Sequence, residues 1–332
     1  MLFYAGIDEA GYGPMLGPLC VGMSAFLVEN HEEGGPPPNL WEALEEGVCS
    51  SSRDKRRRIA VADSKKLKGA AKAKSHPLRH LERGVLAFLS TLNDEPILDD
   101  LDDSSLFQRL GADLPTTVST PWYRSTTKLP LAHEPDLITI AAARLRTVMQ
   151  AAGIRPVAMA CTSIDAGDLN ARLASGANKA MVNQDAVLQQ IFNARNAAET
   201  VGIELPRIVV DRQGGRAYYR EWLSTCIEGA QVRVIGETDR LSRYQVDDAR
   251  GGFIVSFESG SEDRHLPVAL ASMIAKYSRE LAMLRMNRFF TEQMPELRPT
   301  AGYVQDGRRF MAEVAPMVES LKIDRKKLVR SA

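Results

Sequence analysis

Three groups of carboxylates stand where apolar runs end in this 332-residue chain. Asp8 and Glu9 follow Leu2–Ile7, Asp211 follows Ile208-Val209-Val210, and Glu258, Glu262 and Asp263 follow Phe253–Phe257. Successive strand residues point to opposite faces, so adjacent carboxylates share one site only where a strand ends or bends. The stretch Gly11-Tyr12-Gly13-Pro14 supplies such a bend. Carboxylates gathered at strand ends of an α/β sheet repel one another unless a cation neutralises them. Mg2+ suits that setting, because it takes oxygen ligands, keeps waters and completes its shell with substrate phosphates. A pair of such ions can stabilise the attacking and leaving oxygens of a phosphodiester displacement. Taken singly, each acid reads as a turn or cap residue; three groups in one chain weaken that reading.

A dinucleotide fingerprint is the competing reading of Gly11–Gly17. One residue too many separates its second and third glycines, and Pro14 and Pro18 interrupt the helix start that the fingerprint requires.

The elements that must position these acids follow from periodicity. Leu2–Ile7 and Leu19–Val28 read as strands joined by the glycine- and proline-rich turn. Helices are expected over Leu78–Leu92, Asp136–Ala152, about 179–201, Tyr218–Ile227, Pro267–Phe290 and about 307–321, with a short helical patch at Trp41–Glu46. Strands are expected at Val157–Ile164, Arg207–Val210, Val232–Gly236 and Gly252–Glu258. That order indicates an α/β fold, a mixed β-sheet flanked by helices. One catalytic domain over 1–332 is expected, with insertions at about 29–61 and 93–130 that look like excursions from the core, and a C-terminal helical segment at about 291–332.

Lys plus Arg (42) equals Asp plus Glu (42), so no global basic field marks a nucleic-acid binder. The charges are nevertheless segregated. Ten Lys or Arg lie between Arg53 and Lys74 against Asp54 and Asp63, and Asp94, Glu95, Asp99, Asp100, Asp102 and Asp103 form an acidic run. Lys322, Arg325, Lys326, Lys327 and Arg330 make a second basic cluster. Such clusters suit phosphate binding, although a solvated surface is the plainer reading. Cys20, Cys49, Cys161 and Cys226 lack metal-ligand spacing and read as free thiols. No signal peptide is expected, and no stretch approaches the ~20 apolar residues of a membrane helix. A cytoplasmic, monomeric protein without a membrane partner is the expectation.

Four motifs make the pattern specific. Gly6-Ile7-Asp8-Glu9-Ala10-Gly11-Tyr12-Gly13-Pro14 closely resembles the opening motif of type 2 ribonucleases H, the ribonuclease HII and HIII family. Ala62-Asp63-Ser64-Lys65-Lys66-Leu67 resembles its second motif, Pro267–Lys276 its helix motif, and Thr300-Ala301-Gly302-Tyr303 its glycine-tyrosine segment, all in the family's order. The stretches 29–61 and 93–130 have no counterpart in it.

The resemblance implies a ribonuclease H-like fold and a divalent metal, Mg2+ or Mn2+, used to cut the RNA strand of RNA–DNA hybrids. It implies Asp8, Glu9, Asp211 and one acid before the long helix as catalytic and metal-binding residues. Counting back ten residues from Ser272 gives Glu262, which the longer local match favours; counting four back from Pro267 gives Asp263. Gly11, Tyr12 and Gly13 fall on the turn that contacts the ribose 2′-hydroxyl in the family. Lys65 and Lys66 fall on phosphate contacts, with Ser64 beside them; a surface helix cap is the alternative. Tyr303 stacks on a sugar or base, or is a core tyrosine. His76, His133 and His265 read as structural or surface residues.

Two departures bear on substrate. Tyr12 replaces the arginine or lysine that HII and HIII enzymes carry in the turn, and Arg308 stands where many HII members have histidine. The alternatives are therefore a nuclease of the same fold with another nucleic-acid substrate, or a non-catalytic nucleic-acid-binding module. Retention of all the acids argues against the module, since phosphate binding needs no buried carboxylates.

Overall fold

A computed structural model of the chain describes residues 1–32, 34–67, 75–92, 98–212, 214 and 216–331. Lys68, Lys72 and Lys74 of the basic run, Asp94 and Glu95 of the acidic run, and Gln213 and Gly215 after Asp211 lie outside the described residues. The main strands are β1 (Leu2–Ala10), β2 (Leu19–Val28), β3 (Ile154–Ile164), β4 (Arg207–Asp211), β5 (Gln231–Glu237), β6 (Leu241–Asp248) and β7 (Gly251–Glu258). The helices that matter below are α1 (Arg79–Leu89), α2 (Asp103–Leu110), α3 (Pro135–Ala151), α4 (Ala166–Ala174), α5 (Lys179–Thr200), α6 (Arg220–Cys226), α7 (Leu266–Gln293) and α8 (Val304–Glu313).

The strands form one seven-stranded mixed sheet in the order β3-β2-β1-β4-β7-β6-β5. β1 is antiparallel to β2 and parallel to β4, and β4 is parallel to β7. The fold is thus the mixed α/β architecture that the element order indicates. Alternation along β1 feeds two cores. Phe3, Ala5 and Ile7 pack with Val182 and Ile191 of α5 and Leu223 of α6, whereas Tyr4 faces α7, α1 and α3. Among the described residues no helix is long and apolar enough to cross a membrane.

Two glycines let α7 lie almost on the sheet. A Cβ on Gly6 would stand 2.1 Å from Val268 N, and one on Gly22 2.3 Å from Ala271 O. Real side chains cannot approach backbone so closely, so glycine is required at both positions. Gly22 is the register partner of Asp8, so the same close approach brings α7 against the first carboxylate.

The stretches expected to be excursions are built into the core. Leu40, Leu44, Val48, Ile59 and Val61 are buried in the α7-side cluster, and Val48–Cys49 pairs in parallel with Ile59–Ala60. Gly47 rests against Val148 and Leu145 of α3. Further on, Leu101, Leu106, Phe107, Trp122, Tyr123 and Leu129 are buried in the same cluster. There α2 begins with a capping box of Asp102 and Ser105, and Asp103 accepts from buried Arg285 of α7 at 2.7 and 2.5 Å. Sparse apolar residues held by caps and a long-range ion pair leave no period to read.

Smaller differences have local causes. The expected helix over 307–321 is two, α8 and Ala315–Ser320, because Pro316 restarts the helix in its first turn. β6 was not foreseen: its buried face is Ser242, Tyr244 and Val246, only partly apolar. The short helix α4, capped by Asp165, was likewise unread.

Candidate active site

β1 runs three residues beyond its expected end, pairing with β2 as far as Ala10 and Cys20. Its pairing with β4 stops at Ile7 and Val210. Past Ile7 the β4 side of β1 is therefore open, and both carboxylates reach the gap above Asp211 without the strand ending. The Glu9 amide donates to Asp8 Oδ1 at 2.7 Å. Asp8 is buried, 9% exposed. Its carboxyl is held well above the usual range, first by burial, then by Glu9 and Asp211, with a Ser272 hydrogen bond partly opposing. Burial and then Asp211 push Glu9 up to about 7, against the pull of Lys65; Glu262 adds to the push.

Asp211 ends β4, in register with Glu258 of β7. The Ser261 amide and hydroxyl donate to its Oδ1 at 3.2 and 2.8 Å. Ser261, Glu262 and Asp263 form one 3-10 turn between β7 and α7. Glu262 is raised by burial, by Asp211 and by Asp63, and its Oε2 is buried without a hydrogen-bond partner. Asp263 turns outward instead, and Lys66 Nζ donates to it at 2.5 Å. The geometry thus gathers Asp8, Glu9, Asp211 and Glu262 and leaves Asp263 on the surface. Among the described residues no three His, Cys, Asp or Glu side chains form a ready-made ion cage.

Glu258 is committed elsewhere. Against the upward push of burial, hydrogen bonds from His265 and Arg264 hold its carboxyl below the usual range. His265 Nε2 lies 3.0 Å from Glu258 Oε2, and its Nδ1 is bonded to the Tyr4 hydroxyl. This partly buried chain braces the start of α7 beside the acids, and no motif in the sequence announces it.

The other expected site residues are spread around the acids. Ser64 is buried rather than open to a ligand, and its hydroxyl is 3.0 Å from that of Ser272. It supports the helix that supports Asp8. Lys65 is exposed beside Glu9, and Lys66 is exposed but ion-paired. Tyr303 is 54% exposed and so is no core tyrosine. Its neighbour Gly302 accepts from the Met15 and Leu16 amides at 2.9 and 3.2 Å, which docks this segment on the glycine-rich turn. Gly11 has φ +89, a conformation that favours glycine, and Tyr12 and Gly13 form the exposed tip. Lys179, the first residue of α5, places Nζ 4.8 Å from the centre of the Tyr12 ring. That cation was not foreseen, because 167 positions separate it from the turn and nothing in its neighbourhood marks it.

No protein-family profile matches the chain, and no curated protein does. Solved structures do. Ribonuclease HII of Archaeoglobus fulgidus, in a complex with PCNA, is 15% identical over 98% of this chain and 93% of its own, with a TM-score of 0.39. A point mutant of Bst-RNase HIII is 17% identical over 98% of this chain, which spans 66% of that one, with a TM-score of 0.47. The ribonuclease H2 of Pyrococcus horikoshii is 12% identical over 98% of this chain and 92% of its own, with a TM-score of 0.39. Likenesses of this strength carry no assignment of activity. What the chain is similar to, along nearly its whole length, is ribonucleases HII and HIII.

Proposed function

We propose that this chain is a divergent type 2 ribonuclease H, a metal-dependent endonuclease that hydrolyses the RNA strand of RNA–DNA hybrids. The observation that carries the reading is the meeting of Asp8 and Glu9 near the end of β1, Asp211 at the end of β4 and Glu262 in the 3-10 turn after β7, burial and mutual repulsion raising Asp8, Glu9 and Glu262. Structure alone gains nothing from buried like charges, which disfavour the folded state. A site for a cation gives them a use.

The donor set fits the ion. Four carboxylates without thiol or imidazole suit Mg2+ or Mn2+ rather than a softer metal. The unpartnered Glu262 Oε2 is an acceptor awaiting a positive partner. When bound, the metal supplies charge neutralisation and an acidified water for attack on phosphorus. The chain does the rest. Asp8, Glu9, Asp211 and Glu262 would hold the ions, Ser261 and Ser272 fix two of those carboxylates, and Lys65 draws the phosphate backbone toward Glu9. The exposed Tyr12–Gly13 tip would face the ribose. The two core-packed stretches belong to the same single domain in this reading.

Labelled RNA–DNA hybrid incubated with Mg2+ or Mn2+ tests it. Cleavage that Asp8→Asn abolishes is expected; cleavage by neither metal, or cleavage that survives Asp8→Asn, sinks it. The pairing of Tyr12 with Lys179 favours a second reading, in which the turn's altered chemistry selects another nucleic acid. A panel with single-stranded and structured RNA and DNA decides between them.

A further inference from the structure

The glycine-rich turn is held from beneath by two arginines, one from α7 and one from the far end of the sequence. Arg330 is 4% exposed and Arg279 is fully buried. Arg330 donates through Nε to Gly17 O at 2.8 Å and through Nη1 to Gly11 O at 2.5 Å and Pro14 O at 3.2 Å. Its own amide donates to Met15 O at 2.9 Å, and Val329 forms a β-bridge with Leu16. Arg279 Nη2 donates to Leu16 O and Ala301 O, both at 3.1 Å. Its stem lies where a Gly11 side chain would begin, since a Cβ there would stand 2.6 Å from Arg279 Cδ.

This arrangement is costly. Among the described residues no carboxylate forms a salt bridge with Arg330, Asp165 acting on it only from a distance, and its Nη2 has no hydrogen-bond partner. Burial and the nearby Arg279 lower its pKa to about 10, so it remains charged at neutral pH. A buried guanidinium without a directly paired counter-ion is normally avoided. Here its partners are the main-chain carbonyls of one turn. In a planar trans peptide the carbonyl and the following N–H point in opposite directions. Turning Gly11 C=O inward therefore turns Tyr12 N–H outward, at the exposed tip, where it meets no protein acceptor among the described residues.

We infer that Arg330, seconded by Arg279, is a positioning residue for substrate reading: it locks the carbonyls of Gly11, Pro14 and Gly17 inward so that the Tyr12 amide is presented to a ribose hydroxyl. The inference rests on the nuclease reading, since without it the amide has no assigned ligand. Arg330 touches none of the four acids, so its effect is separable from theirs. Shifts on the order of 1 Å in a positioning element can cost about 10^2-fold in rate.

The test compares the full chain with Arg330→Met, which keeps bulk but removes the donors, and Arg330→Lys, which restores some of them. Three quantities are read: kcat/KM on hybrid, the affinity ratio between hybrid and all-DNA duplex, and Mn2+ affinity by calorimetry. Expected for Arg330→Met is at least a tenfold loss of kcat/KM and a collapse of the affinity ratio, with Mn2+ affinity unchanged and partial recovery in Arg330→Lys. An unchanged affinity ratio in a folded Arg330→Met protein overturns the inference. Amide hydrogen exchange keeps the two readings apart. If the wild-type chain cleaves nothing, the nuclease reading fails, yet faster exchange across residues 11–17 in Arg330→Met still supports the clamp, and unchanged exchange refutes it.

Discussion

Replacing Glu9 with glutamine removes one charge from a buried cluster of like charges, and the sign of its effect on stability should reverse with metal. Glu9 is pushed from 4.5 up to about 7 in the folded chain. Below the unfolded value the carboxyl is neutral in both states and costs nothing. As pH rises, the unfolded chain ionises first, and the folded chain follows only near pH 7. The penalty on folding therefore grows through this window and is complete above it. At 1.36 kcal/mol per unit it reaches about 3 kcal/mol at pH 8 and falls below about 1 kcal/mol at pH 5. The glutamine loses the attraction of Lys65, so a net gain of about 1–3 kcal/mol is expected, worth roughly 1–4 °C for a chain of this size. Thermal melts of wild type and Glu9→Gln in chelator at pH 8 and pH 5 should show the variant higher at pH 8 and nearly level at pH 5. Adding Mn2+ should then raise the wild type and move the variant much less, because binding stabilises only what the ion can hold. A variant that melts below wild type in chelator at pH 8, or two proteins that gain equally from Mn2+, would refute the idea that these charges are kept for a cation.

Glu262→Gln should cut hybrid cleavage by about 10^2-fold or more, given that a catalytic ion supplies several kcal/mol, whereas Asp263→Asn should leave turnover near wild type; equal losses would show that the 3-10 turn is misassigned. Gly22→Ala should destabilise the fold by about 3 kcal/mol or more in urea melts, since its Cβ would meet α7 backbone at 2.3 Å. Asp103→Ala strands the buried guanidinium of Arg285 and should cost about 3–5 kcal/mol; a loss under 1 kcal/mol would mean that Arg285 finds other partners. Lys65→Ala should weaken hybrid binding and flatten its salt dependence by about one unit in log–log slope, measured by fluorescence anisotropy from low to high salt.

What could be read from the sequence was what is written in side chains close together along the chain. Asp8 and Glu9 stand beside the glycines that shape their turn, and Asp211 closes a run of three apolar residues, so type and spacing, taken together with the acids before the long helix, marked them as candidates. Choosing between Glu262 and Asp263 was harder, because adjacent acids in one 3-10 turn differ only in which way the turn aims them. In the folded chain Ser261 holds Asp211 from one side and Lys66 holds Asp263 on the other, which leaves Glu262 facing the acids. The Arg330 clamp was beyond reach for a different reason. Its acceptors are main-chain carbonyls 313 to 319 residues away, and a carbonyl has no letter in a sequence. The same holds for Gly6 and Gly22, whose purpose is the helix backbone that lies on them. The candidate acids stand out in the sequence only as a set, whereas the way they would meet a ligand depends on backbone-to-arginine and backbone-to-helix contacts. If Arg330 holds the turn as inferred, a chain could keep every motif residue and still lose substrate reading by one substitution at position 330, which is why that position, rather than a fifth carboxylate, is the more informative one to change.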